Sequence, residues 1–161
     1  MASHGGDRVV ALSRQLAQAH QELLHQVEEI RNGLGHRRLS DGTLLAHCLA
    51  FCSSLTAHHK GEDDGIFSQL LQERPDLTTT VAKLVEDHEM ISSILSRVSE
   101  LAERAAGLHG PALESIGREL DGLAAIMESH FRYEERAISK ALDDRAPDTD
   151  WPSMVFGFGV T

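Results

Sequence analysis

Cysteine is scarce in this chain of 161 residues, with only Cys48 and Cys52 present, four apart in one apolar helical stretch. That spacing is not a redox CxxC pair, and the two are expected to be small buried thiols rather than redox or metal-ligating groups. No apolar run approaches the ~20 residues needed to cross a bilayer, and no charged-then-apolar leader is seen, so a cytoplasmic address is expected. Positive charge is also short: 15 Lys and Arg stand against 25 Asp and Glu, a formal charge of -10. That balance opposes binding to nucleic acid or to an anionic membrane surface, and neither is expected as a partner. There is no strand pattern of any length, no nucleotide-binding loop and no nucleophile elbow.

What remains is helical periodicity, punctuated by Gly and Pro. The length suits one domain with its own core. A first helix is expected from about Asp7, as N-cap, to Asn32, ending before Gly33-Leu34-Gly35; its apolar stripe is Val9, Leu12, Leu16, His20, Leu23, Val27 and Ile30. A second is expected from about Ser40 to Leu71, stopping before Pro75, with Leu44, Cys48, Phe51, Leu55, His58, Glu62 and Ile66 on one face. A third starts near Thr79 or Thr80 and carries Val81, Leu84, His88, Ile91, Leu95, Val98, Leu101 or Ala102, and Ala105, ending at Gly107 and Gly110. The fourth opens at Pro111 and carries Ile116, Leu120, Leu123, Met127, His130, Glu134 and Ile138. Four long amphipathic segments with short connections predict an all-α fold, an antiparallel up-down four-helix bundle over residues 1–142.

Several stripe positions hold residues that do not belong in an apolar core: His20, His58, Glu62, His88, His130 and Glu134. Two of the pairs repeat one device, His-x-x-x-Glu, in which an imidazole and a carboxylate four apart share a helix face. Every helix contributes, and in an up-down bundle all six lie roughly 8 to 13 positions from one end, a band about 12 to 20 Å deep at about 1.5 Å per residue. Burying two carboxylates without a cation is costly, and no Lys or Arg occupies these stripes, so a metal centre is expected. Four imidazoles and two carboxylates suit iron, manganese or zinc. One structural zinc needs only four ligands, so six suggest two metals sharing an oxo or hydroxo bridge, with coordination positions left open. His59 follows His58 within reach of the pocket, either as an extra ligand or as a donor supporting one. His47, eleven residues before His58 and close to the same face, is a candidate for a supporting or channel role, and Tyr133 would join only if its helix shifted; His25 points away from its stripe, and His4, His36 and His109 fall in terminal or loop segments.

The order His20, His58/Glu62, His88, His130/Glu134 resembles the H…HxxxE…H…HxxxE signature of the hemerythrin-like (HHE cation-binding) proteins. Glu62-Asp63 followed by Ile66-Phe67, and His130-Phe131-x-x-Glu134-Glu135, strengthen the likeness, which spans about residues 7 to 142. The short acidic form looks most like the mycobacterial or actinobacterial type. The resemblance implies an up-down bundle around a non-haem di-iron centre acting on a small molecule: hydrogen peroxide, oxygen or nitric oxide. Oxygen-carrying members use five histidines with two carboxylates, whereas four clear ones stand here. The reading favoured on that ground is a catalase-like enzyme decomposing peroxide, with His59 as the proton-shuttling base. The alternative is a non-catalytic module that binds or senses oxygen, nitric oxide or iron. Residues 143–161, with Trp151, Phe156 and Phe158 among Pro and Gly, are expected to form a tail packed on the bundle, or else a partner contact or channel cover.

Overall fold

The computed structural model describes residues 11–36, 41–104 and 111–144; the expected Asp7 cap and the tail from residue 145 onward lie outside the described residues. Helix α1 is Leu12–His36, α2 is Asp41–Gly61, α3 is Phe67–Glu73, α4 is Thr78–Arg104 and α5 is Pro111–Asp143. A π-helical turn, Glu62–Ile66, joins α2 to α3 in one rod, with helical dihedrals at both junctions. That rod ends at Arg74, which turns to φ -133° and ψ 74° because a residue before proline is pushed out of the helical region. The fold is all-α, with no strand among the described residues.

Four rods result: α1, the α2–α3 rod, α4 and α5. α1 packs against α2 and α5, and α4 packs against the same two, which puts the rods at the corners of a square in chain order. Contacts at the ends set their directions. At one end the Ser13 backbone N–H donates to Asp143 Oδ1 at 3.0 Å and its hydroxyl donates to Oδ2 at 2.6 Å. The last residue of α5 thus satisfies a donor in the first turn of α1, where helix N–H groups have no partner of their own. At the other end Arg31 reaches Asp121 at 2.9 Å and Arg97 reaches Glu119 at 3.2 Å. Neighbouring rods are therefore antiparallel.

Two expectations change. α1 does not stop at Asn32 but runs through Gly33 and Gly35 to His36. Gly33 is buried and Leu34 packs against the core, and that burial outweighs the ~1 kcal/mol cost of a glycine in a helix. The second helix, expected as an uninterrupted α run, contains the π turn, which opens at Glu62 itself.

The interior is split. One apolar cluster joins Leu23, Val27, Phe51, Leu55, Ile91, Leu95, Leu120 and Met127 with their neighbours. A second joins Leu16, Ile66, Phe67, Leu70, Leu84, Ile138 and Leu142. Along each rod the break falls at one level: His20 between Leu16 and Leu23, His58 to Glu62 between Leu55 and Ile66, His88 between Leu84 and Ile91, and His130 to Glu134 between Met127 and Ile138. A polar layer divides the core. Cys48 and Cys52 are free thiols buried in the first cluster.

Candidate metal centre

Helix periodicity brings the layer together. His20, His58, Glu62, His88, His130 and Glu134 are all buried, and so is His59. Within each His-x-x-x-Glu pair the side chains meet as the four-residue spacing requires: His58 Nε2 lies 3.2 Å from Glu62 Oε2, and His130 Nε2 lies 3.4 Å from Glu134 Oε1. The other two rods close on these carboxylates. His88 Nε2 is 3.2 Å from Glu62 Oε1, while His20 Nε2 is 3.5 Å from Glu134 Oε1 and 3.8 Å from Glu62 Oε2.

Donor atoms here form three overlapping groups, each with its atoms within 4.8 Å of one another: His20, His58 and Glu62; His59, His88 and His130; and Glu62, His88 and Glu134. The layer thus has a side with two imidazoles, a side with three, and carboxylates between them. His59 belongs to the second side. Its ring stacks on His88 at 3.8 Å between centroids and 10° between planes, one of its ring nitrogens belongs to this donor group, and its Nε2 is buried without a hydrogen-bond partner. Burial and the positive charge of His88 hold its pKa well below the ordinary value, so it is neutral and offers a lone pair.

Three acidic residues went unremarked in the sequence except as part of the family signature or not at all. His88 Nδ1–H donates to Asp63 Oδ1 at 2.8 Å, His130 Nδ1–H to Asp87 Oδ2 at 3.0 Å, and His20 Nδ1–H to Glu135 Oε2 at 2.7 Å. An ionised carboxylate only accepts, so each of these Nδ1 atoms carries a proton. In a neutral ring the lone pair is then on Nε2. The Nε2 atoms of His88 and His130 face each other at 3.1 Å, a distance two lone pairs tolerate only with a proton or a cation between them. The signal in the sequence was position: Asp63, Asp87 and Glu135 each stand immediately beside Glu62, His88 or Glu134.

The layer fits a cation on its own chemistry. Among the described residues, Nε2 of His20 and of His59 and all four carboxylate oxygens of Glu62 and Glu134 are buried without a hydrogen-bond partner. Buried polar atoms are otherwise almost always satisfied. Nitrogen and carboxylate donors without thiolate suit borderline transition metals such as iron. The other candidates fall outside. His47 and His25 are exposed, His25 pairing with Glu29 at 2.7 Å, and Tyr133 packs beside the second apolar cluster with Lys83 over its ring. The His36 side chain, His4 and His109 lie outside what is described.

Without metal, protons take the cation's place. Burial works against a charged His20, but Glu134, the Glu135 hydrogen bond and Glu62 outweigh it and raise its pKa to about 9. His88 is likewise opposed by burial yet raised to about 10 by its hydrogen bond to Asp63 and the nearby charge of Glu62. Burial, then the Glu62 charge, lifts Glu134 to about 7, while Glu62 itself stays ionised beside His58 and His20. All three raised groups bind protons more tightly folded than unfolded. Their stabilisation is complete below the unfolded pKa, 6.5 for the histidines and 4.5 for Glu134, and is lost as pH rises through about 9, 10 and 7 respectively. Chelated protein should therefore lose stability steadily from pH 6.5 to 10, while metal-loaded protein changes little. Urea midpoints across that range measure this; a midpoint that climbs with pH in chelated protein contradicts it.

Residues 11–142 match the family model described as the hemerythrin HHE cation binding domain. No curated protein and no solved structure gives a significant match.

Proposed function

The chain belongs to the hemerythrin HHE cation-binding domain family, and from that premise we propose that it holds two iron ions in its polar layer and binds a small molecule, dioxygen or nitric oxide, at them. The family binds metal cations, typically iron, and small molecules such as oxygen. The observation that carries the reading is the unequal donor set. His59, His88 and His130 would hold one ion, His20 and His58 the other, and Glu62 and Glu134 would lie between the two. The two-imidazole side is then one donor short of its neighbour, and bound iron would supply there a redox-active centre with a free position.

The protein's own contribution is orientation and dryness. Three of the imidazoles are held by carboxylates through Nδ1, which aims Nε2 inward. Phe131 stacks on His20 at 3.9 Å and Phe67 lies against His88 at 5.7 Å, so apolar rings wall both sides of the layer. Peroxide decomposition was favoured on a set of four imidazoles with His59 as a free base. His59 lies in one of the three donor groups, and the reading proposed here takes it as a fifth imidazole donor and places reversible binding ahead of turnover. The likeness to the mycobacterial or actinobacterial type is proposed on the short acidic form alone.

The test is iron loading under anaerobic conditions. About two iron atoms per chain are expected, with an absorption change on adding oxygen or nitric oxide that reverses on removing the gas. One zinc per chain and no such change would end the di-iron reading. Sustained oxygen evolution from peroxide, abolished by removing iron, would restore turnover to first place.

A further inference from the structure

The three carboxylates that touch the layer from outside obey one rule of placement. Asp63 follows Glu62 on the second rod and reaches His88 on α4; Asp87 precedes His88 on α4 and reaches His130 on α5; Glu135 follows Glu134 on α5 and reaches His20 on α1. Each acid is the sequence neighbour of a layer residue on its own helix and grips the imidazole of the next helix. The grip travels one way round the square, from the second rod to α4 to α5 to α1.

We propose that Asp63, Asp87 and Glu135 are positioning residues that fix His88, His130 and His20 with Nδ1–H outward and the Nε2 lone pair toward the layer. A neutral imidazole can carry its proton on either nitrogen, and a half-turn about its Cβ–Cγ bond puts ring carbons where the nitrogens stood. Packing does not remove that freedom, because the two edges of the ring have nearly the same shape. An anionic acceptor at 2.7 to 3.0 Å does remove it, and it also strengthens Nε2 as a donor. These are not exposed surface pairs of little worth. The rings are buried and the acids are partly buried, Asp87 with a second bond from Lys83 Nζ at 3.0 Å. The sequential arrangement has a further effect: moving any one of these helices displaces both a layer residue and the acid that orients the next imidazole, so the helices position one another's ligands. The link to a cation rests on the two-metal reading; the proton placement does not.

Two measurements on the full-length chain separate these. In the first, zinc affinity is measured by chelator competition for Asp63→Ala, Asp87→Ala and Glu135→Ala, each expected to bind about 10- to 100-fold more weakly. Asp63→Asn, Asp87→Asn and Glu135→Gln, which keep an acceptor oxygen but not the charge, should recover part of the loss. In the second, nitrogen-15 spectra should show a hydrogen-bonded, slowly exchanging proton on Nδ1 of His20, His88 and His130, with or without zinc. Each alanine variant should lose its own proton signal and leave the other two. Unchanged zinc affinity in folded alanine variants, or protons found on Nε2 of these rings in the zinc-loaded protein, would overturn the proposal. If the wild-type chain takes up fewer than two zinc ions but the three Nδ1 protons are present, the positioning stands and the two-metal reading falls.

Discussion

Glu62→Ala should release both metal ions together. Glu62 belongs to two of the three donor groups, with Oε1 3.2 Å from His88 Nε2 and Oε2 3.2 Å from His58 Nε2, so its two oxygens face the two sides of the layer. It is completely buried, and no other acid on the second rod can replace it: Asp63 already accepts from His88, and Asp64 is exposed beside Lys60. The loss in metal affinity should exceed the roughly 10- to 100-fold that removal of a supporting partner costs, because a ligand itself is removed. Metal content after gel filtration, with chelator competition for the residual affinity, gives the answer. His25→Ala is the control, since that ring is exposed and tied to Glu29. Retention of one full equivalent by Glu62→Ala would show that the carboxylate serves one ion only, and an equal loss from His25→Ala would mean the layer does not hold the metal at all.

The same residue shows how far the sequence could be read. Glu62 was found because a carboxylate four residues after a histidine, on a stripe otherwise apolar, has no reason to be there without a partner. His20 and His88 were found the same way, and the shared depth of all six follows from helix rise and short connections. His59 was harder. It sits about 100° from His58 on an ideal helix, and only the packed orientation of the rod shows that both rings turn inward. Asp63, Asp87 and Glu135 act across helices, on partners 25, 43 and 115 residues away, and no local period encodes such a reach. The π turn escaped for a related reason. Glu62 and Ile66 keep a spacing of four that an α-helix would also satisfy. Gly33 misled in the opposite direction, since its meaning depends on whether a neighbouring helix covers it.

These differences bear directly on function. A layer with four imidazoles and a free His59 reads as a site with a base ready to move protons; a layer in which His59 is a fifth donor has no such base among its own members. Asp63, Asp87 and Glu135 beside it are each already engaged with an imidazole. That placement is the ground on which binding is proposed ahead of turnover.

Phe131→Ala should be strongly destabilising and, among the aromatic substitutions around the layer, the one that shortens the lifetime of a bound gas molecule. Phe131 is buried in the first apolar cluster, stacks face to face on His20 at 3.9 Å and 4°, and meets His58 edge-on at 6.1 Å, so it covers both imidazoles of the side that lacks a third, and it also meets His130 of the other side, tilted at 5.7 Å. Truncating a buried phenylalanine costs about 3–5 kcal/mol, a large part of the roughly 5–15 kcal/mol that holds a domain of this size together. The cavity also opens beside buried imidazole and carboxylate groups, a polar setting that water can enter. Oxygen or nitric oxide bound there should then leave faster. Phe67→Ala provides the contrast. That ring belongs to the other cluster and lies against His88, on the three-imidazole side, so it should cost a similar amount of stability while leaving gas release unchanged. Urea unfolding of the metal-free variants measures the first effect and stopped-flow release from iron-loaded protein the second. Equal acceleration by both substitutions would erase the distinction between the two sides, and a loss below about 1 kcal/mol for Phe131→Ala would mean the site closes over the gap and the ring is not the wall described.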